Sequence, residues 1–125
     1  MCENVNIELN EPEIIYNLEE RTFQFAKNVR FFVETLPQKI ANIEDSKQLI
    51  RASASVGANY IEANESLGKK DFLMRLKIAR KEAKESAFFL RLINENNNHL
   101  KTGIELYDEA IQLNKILSAI INKSR

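Results

Sequence analysis

Apolar residues recur at steps of three and four along four stretches of this chain, a spacing that admits little besides packed α-helices. The run Leu49, Ala52, Val56, Tyr60, Ala63 and Leu67 is the clearest case. A strand would alternate every second residue, whereas a helix turning every 3.6 residues keeps these positions on one face. Gly occurs three times and Pro twice in 125 residues, too few to supply the turns of a β-rich fold.

The spacing predicts four helices. The first runs from about Glu11 to Leu36, with Asn10 as its cap, Pro12 in its first turn and Glu13 completing a capping box. Its stripe is Ile15, Leu18, Phe25, Val29, Phe32 and Leu36. Pro37 ends it, because proline lacks the amide hydrogen a helix interior needs. A linker over 37–44 leads to a second helix from Asp45 to Leu67, with Gly68 as its stop. Small residues Ala54, Gly57 and Ala58 on this helix predict a close approach by a neighbour. The third helix runs to about Asn94 on Phe72, Leu73, Leu76, Ala79, Ala83, Ala87, Leu90 and Ile93. An Asn-rich loop over 94–99 follows, since asparagine tolerates left-handed geometry. Thr102 and Glu105 read as a second capping box, opening a helix to about Asn122 on Ile104, Tyr107, Ile111, Leu113, Leu117, Ile120 and Ile121. Short connections between four long amphipathic helices predict an all-α, up-down-up-down four-helix bundle. Residues 1–10 form a flexible N-terminal tail, and residues 11–125 form the bundle domain.

Helices one and four carry more apolar residues than one core face requires. Ile14, Tyr16, Phe23 and Phe31 lie beyond the first stripe, Leu106 and Ile116 beyond the fourth, and Phe88, Phe89 and Leu92 crowd the end of helix three. A wide core face accounts for any single one of them. Together they point to a second buried face, and so to self-association.

Several classes of function lack the residues they need. No apolar run approaches the length of a membrane span. The acidic start MCENVNIELNE has neither a basic n-region nor an apolar h-region, so it does not read as a signal peptide. Cys2 is the only cysteine and His99 the only histidine, which leaves no intrachain disulfide and no zinc ligand set. A cytoplasmic location is the expectation. A di-iron bundle needs two Glu-x-x-His pairs, and none is present. Glu62 with Glu65, and Glu105 with Asp108 and Glu109, read as solvated or paired acids. Ser53 and Ser55 lack an evident base. Gly57 and Gly68-Lys69 do not compose a phosphate-binding loop. The expectation is a protein without enzymatic activity, metal or cofactor.

Charge is segregated. Residues 69–91 hold eight Lys or Arg against three acids, while the first twenty hold six Glu and no Lys or Arg, in a chain of net charge zero. Lys70, Lys77, Lys81 and Lys84 step by seven, four and three and so share one side of helix three. Arg80 and Arg91 lie on an adjacent strip. A solvated mixed face is the plain reading, with Lys81, Glu82 and Glu85 as local pairs. The sharper reading is an anionic partner, RNA or DNA, held by its backbone and strongly salt-dependent. No aromatic-interleaved RNA motif or helix-turn-helix signature accompanies these residues.

The segments QLIRASASVGANYIEANES (Gln48–Ser66) and KKDFLMRLKIARKEAKESAFFLRLI (Lys69–Ile93) resemble the small bacterial four helix bundle protein family. Its members were first noted as reading frames inside intervening sequences of 23S rRNA genes. The family is similar to the accessory variability determinant of diversity-generating retroelements. The matching residues are Arg51, Ser55, Gly57, Asn59 and Glu62 on helix two. On helix three they are Asp71, Phe72, Lys77 to Ala79, Lys81 to Ala83, Glu85, Ser86 and Leu90 to Leu92. Phe89 departs from the pattern, because relatives often carry Trp there. The resemblance implies a left-handed bundle assembled as a homopentamer, with no known enzymatic activity. For the retroelement relatives it implies a basic surface that binds nucleic acid and a reverse transcriptase. Those relatives are strongly basic, whereas this chain is neutral. Arg51, Asn59 and Glu62 read as structural polar residues that fix helix register, with Arg51 or Lys81 as counter-charge. The resulting expectation is a homo-oligomeric bundle that binds nucleic acid through helix three; the alternative is a protein-protein adaptor without nucleic-acid affinity.

Overall fold

The computed structural model describes residues 11–125, with side chains from residue 17 onward. The tail over 1–10 with its cap Asn10, and the side chains of Pro12, Glu13, Ile14, Ile15 and Tyr16, lie outside those described residues. Four helices follow one another: α1 (Glu11–Glu34), α2 (Ile40–Asn64), α3 (Lys69–Asn96) and α4 (Lys101–Ser124). Each packs on the next, α4 returns to α1, and neither diagonal pair touches. That is the antiparallel bundle that the spacing predicts. The α2–α3 and α3–α4 seams are the most extensive, and the α1–α4 seam is the loosest.

The core follows the predicted stripes on α1 to α3, but on α4 it turns to Leu106, Ala110, Leu113, Leu117 and Ile121, leaving Ile104 exposed and Tyr107, Ile111 and Ile120 half-buried at its edge. Leu18, Phe25, Val29, Phe32 and Leu36 of α1 meet Leu49, Val56 and Tyr60 of α2, Leu76, Leu90 and Ile93 of α3, and Leu113, Leu117 and Ile121 of α4. At about 1.5–3 kcal/mol for each large side chain removed from water, this burial is the main force that holds the helices together.

The helix ends depart from expectation in three places. α2 starts at Ile40 rather than Asp45, so the connection shrinks to residues 35–39. Asn42 explains the early start. Its amide donates to the Pro37 carbonyl (2.9 Å) and to Asn97 Oδ1 (3.0 Å), and Asn97 Nδ2 returns a bond to Asn42 Oδ1 (2.8 Å). This buried amide pair clamps the first turn of α2 to the last turn of α3. α2 ends at Asn64, so Leu67 is 103% exposed and leaves the core stripe. At the other turn α3 runs on to Asn96, two residues into the expected loop. Asn98 (φ 62°) and His99 (φ 55°) take the left-handed geometry that reverses the chain. Asn97 and His99 both donate their amides to the Asn94 carbonyl. The Thr102–Glu105 capping box is not made. Leu100 occupies the cap position, and its side chain forms no cap bond.

Gly57 sits where α1 presses on α2. A Cβ there would lie 2.7 Å from Thr22 Oγ1 and 3.1 Å from Thr22 Cβ. Ala54 is half-buried and Ala58 is exposed, so the close approach is made at Gly57 and not along a strip of small residues. Gly57→Leu should overpack the seam and cost roughly 1–3 kcal/mol, read as a lower denaturant midpoint. An unchanged midpoint would mean that α1 does not approach α2 at this residue.

Candidate nucleic-acid interface

α3 owes its basic face to its own helical phase. Leu76, Ala79, Ala83 and Leu90 turn inward. Lys70, Lys77, Lys81 and Lys84 all fall within a 60° arc, at about 100° per residue, and all four are exposed. From Lys70 to Lys84 the row spans about 21 Å of helix. None of the four forms an ion pair among the described residues. Two acids of α3 are engaged elsewhere: Asp71 lies 3.9 Å from Arg75, one turn along, and Glu95 lies 3.8 Å from His99. Glu82, with Glu85 beside it, lies close enough to Lys81 to feel its charge.

The two arginines separate. Arg91 is exposed beside the row. Arg80 is half-buried and turned toward α4, its guanidinium 3.5 Å from Ser118 Oγ and its carbonyl accepting from Asn114 Nδ2 at 3.3 Å. It therefore helps to join α3 to α4 and is a poor member of the candidate site.

Phe88 belongs to the face, and sequence reasoning missed it. It lies eighteen residues after Lys70, five full turns on, so it points the same way. It is 57% exposed, held edge-on against Phe89 with ring centroids 5.4 Å apart. The sequence reading counted it as surplus apolar surface, but its register with the lysines was the available signal. A cationic row ending on an exposed aromatic is suited to backbone phosphates and a stacked base. Met74 and Leu92 are the other exposed apolar residues on this side.

Asn59, Arg51 and Glu62 do not act as one group. Asn59 is half-buried, donates to the Ser55 carbonyl (2.9 Å) and accepts from Arg75 across the α2–α3 seam (3.4 Å). Arg51 is exposed and bonded to Gln48. Glu62 is also exposed, so it does not set helix register. The acid that faces Arg51 is Glu82 on α3. Glu82 Oε1 is shielded from solvent and has no hydrogen-bond partner. Its carboxyl is held above the usual glutamate value, first by burial, then by the charge and hydrogen bond of Glu85. Lys81 and Arg51 pull it back. A raised acid favours the folded state only while protonated. That contribution is complete below the ordinary carboxylate range and is lost as pH rises through the raised value. Glu82→Gln should therefore raise the melting temperature at pH 7, and the gain should vanish on acidification. A lower melting temperature at pH 7 would show that attraction to Arg51 outweighs desolvation.

A second polar feature lies opposite, in the α1–α4 seam. Arg21 makes a bidentate pair with Glu109, Nε to Oε2 at 2.7 Å and a terminal amine to Oε1 at 2.8 Å. It spans a cleft floored by Phe25, Phe32 and Leu106. Glu109 is thus a paired acid, as the cluster with Glu105 and Asp108 suggests. His99 is an exposed loop residue. Among the described residues no group of three or more His, Cys, Asp or Glu could hold a metal ion, and no helix is long and apolar enough to cross a membrane.

No curated protein matches the chain. Among solved structures it is similar to a protein of unknown function from the S23 ribosomal protein family of Bacteroides thetaiotaomicron VPI-5482. The two share 27% sequence identity and a TM-score of 0.78, over 86% of this chain and 97% of the other. The family model of the 23S rRNA-intervening sequence proteins matches residues 16–119. With that match spanning all four helices, the chain belongs to the 23S rRNA-intervening sequence protein family.

Proposed function

We propose that this protein is a non-enzymatic, homo-oligomeric helical bundle that binds nucleic acid, RNA foremost, through the exposed face of α3. The observation that carries this reading is the row Lys70, Lys77, Lys81 and Lys84. It is exposed, unpaired by ions among the described residues and continued by Phe88. The contacts are to the sugar-phosphate backbone and to a base face, so binding has little sequence preference. A single row of this size binds weakly, and repetition around an assembly of identical subunits raises the affinity through effective concentration.

Self-association has separate support. Phe23 is 59% exposed and Phe31 58% exposed on the outer side of α1, an apolar surface that a monomer would leave in water. The part of the excess assigned to α4 is different. Leu106 is in the core and Ile116 packs against it. A homopentamer is the state we propose. Light scattering at micromolar concentration should give a mass near five times the 14.4 kDa of the chain. A monomer mass would refute self-association, and a dimer would refute the pentamer alone. The same exposed phenylalanines favour the second reading, a protein-protein adaptor. Fluorescence anisotropy with single-stranded RNA at low salt separates the two, since the adaptor gives no signal.

A further inference from the structure

The outer faces of α1 and α4 carry charges in matching places with opposite signs. On α1, Glu20, Lys27 and Glu34 step by seven and so fall within an arc of about 40°. On α4, Lys101, Asp108 and Lys115 do the same. All six are exposed, and none forms an ion pair among the described residues. Gly103 sets the register between the two helices. A Cβ there would lie 2.9 Å from Phe32 Cζ, so residues 32 and 103 are about level. The helices run antiparallel, so each step up one matches a step down the other. Glu20 is therefore level with Lys115, Lys27 with Asp108, and Glu34 with Lys101. Arg30 and Glu105, also exposed and outside any ion pair, share a level too. So do Phe31 and Ile104, which are 58% and 42% exposed. Wherever both outer faces carry a charge at one level, the signs are opposite.

These pairs do not close within one chain. Arg21 and Glu109 close the α1–α4 seam, and the rows point away from it. Lys27 lies about 120° around α1 from Arg21, and Asp108 about 100° around α4 from Glu109. A second copy closes all of them. With two bundles side by side and their axes parallel, α1 of one runs antiparallel to α4 of the next, and every pair meets with no shift along the axis. Because no shift accumulates from copy to copy, such a contact closes a ring and not a helical filament. α1 and α4 hold adjacent corners of the bundle, so the two contacts leave a subunit about 90° apart, the geometry of a ring with few members. The lysine row on α3 lies outside both faces.

We propose that subunits join head to tail, the outer face of α1 on the outer face of α4 of the next copy, with Phe31 against Ile104 and four charge pairs around that contact. Exposed charge pairs contribute little energy singly. They select the partner and its register, while the apolar contact removes surface from water. The proposal rests on the self-association proposed above and assigns the faces that carry it.

Light scattering and circular dichroism on three variants test it. Lys27→Glu with Arg30→Glu should lower the mass at micromolar concentration to the 14.4 kDa of one chain, with helix content unchanged. Glu105→Lys with Asp108→Lys should do the same. All four substitutions in one chain restore opposite charges at each contact and should return the mass of the unmodified assembly. A monomeric unmodified chain would refute self-association itself, and this contact with it. If the unmodified chain assembles, the proposal is overturned by either pair of substitutions leaving the mass unchanged, by the fourfold variant staying monomeric, or by a dimer in place of a ring.

Discussion

Gly103→Ala should destabilise the bundle by a net 2 kcal/mol or so, although alanine is the better helix former. The new Cβ would lie 1.9 Å from Asn94 Oδ1, 2.9 Å from Phe32 Cζ and 3.0 Å from Asn94 Cγ. Neither neighbour has open space to swing into. Phe32 is buried in the core, and Asn94 is buried too, although its Oδ1 has no hydrogen-bond partner. The methyl group must therefore push α4 away from α1 and α3. Overpacking of this kind costs about 3 kcal/mol at the upper end of its usual range. Helix propensity returns about 1 kcal/mol for replacing glycine by alanine. The two effects have opposite signs, so thermal melting decides between them. A fall of several degrees confirms the contact, and a rise would mean that α4 does not meet Asn94 at Gly103.

Reversing Lys77 and Lys84 to Glu should reduce nucleic-acid affinity by at least about tenfold, uniformly across sequences. Each reversal removes one phosphate contact and adds a repulsive charge in the middle of the row. Two fewer contacts should flatten the log–log dependence of affinity on salt by about 1.4 on single strands. Both side chains are exposed and unpaired by ions, so the fold and the mass of the assembly should be unaffected. Unchanged affinity in the double variant would remove the α3 row from the interface.

The helices and the core were legible because both follow from spacing within one segment. Leu18 to Leu36 and Leu49 to Ala63 are buried where the steps of three and four put them. What escaped is what depends on residues far apart in the chain. The Asn42–Asn97 pair joins positions 55 apart, and each side looked locally like linker or polar loop. Asn42 lies seven before Leu49 on the same stripe, a signal that a polar residue there would be buried. The Arg21–Glu109 pair spans 88 positions and had no local signature. Glu62 misled for the opposite reason. It sits near the Tyr60 stripe in sequence, yet its own angle on the helix points to solvent. The lysine row was legible because it needs only one helix, whereas the orientation of Arg80 toward Ser118 required α4.

The most direct test of the account is the salt dependence of RNA binding, measured by anisotropy. The α3 row offers four lysines per chain. Affinity should therefore fall with salt at a log–log slope of about −3, or more steeply if several subunits engage one strand. Absence of binding at low ionic strength would contradict the nucleic-acid reading and leave the protein adaptor in its place.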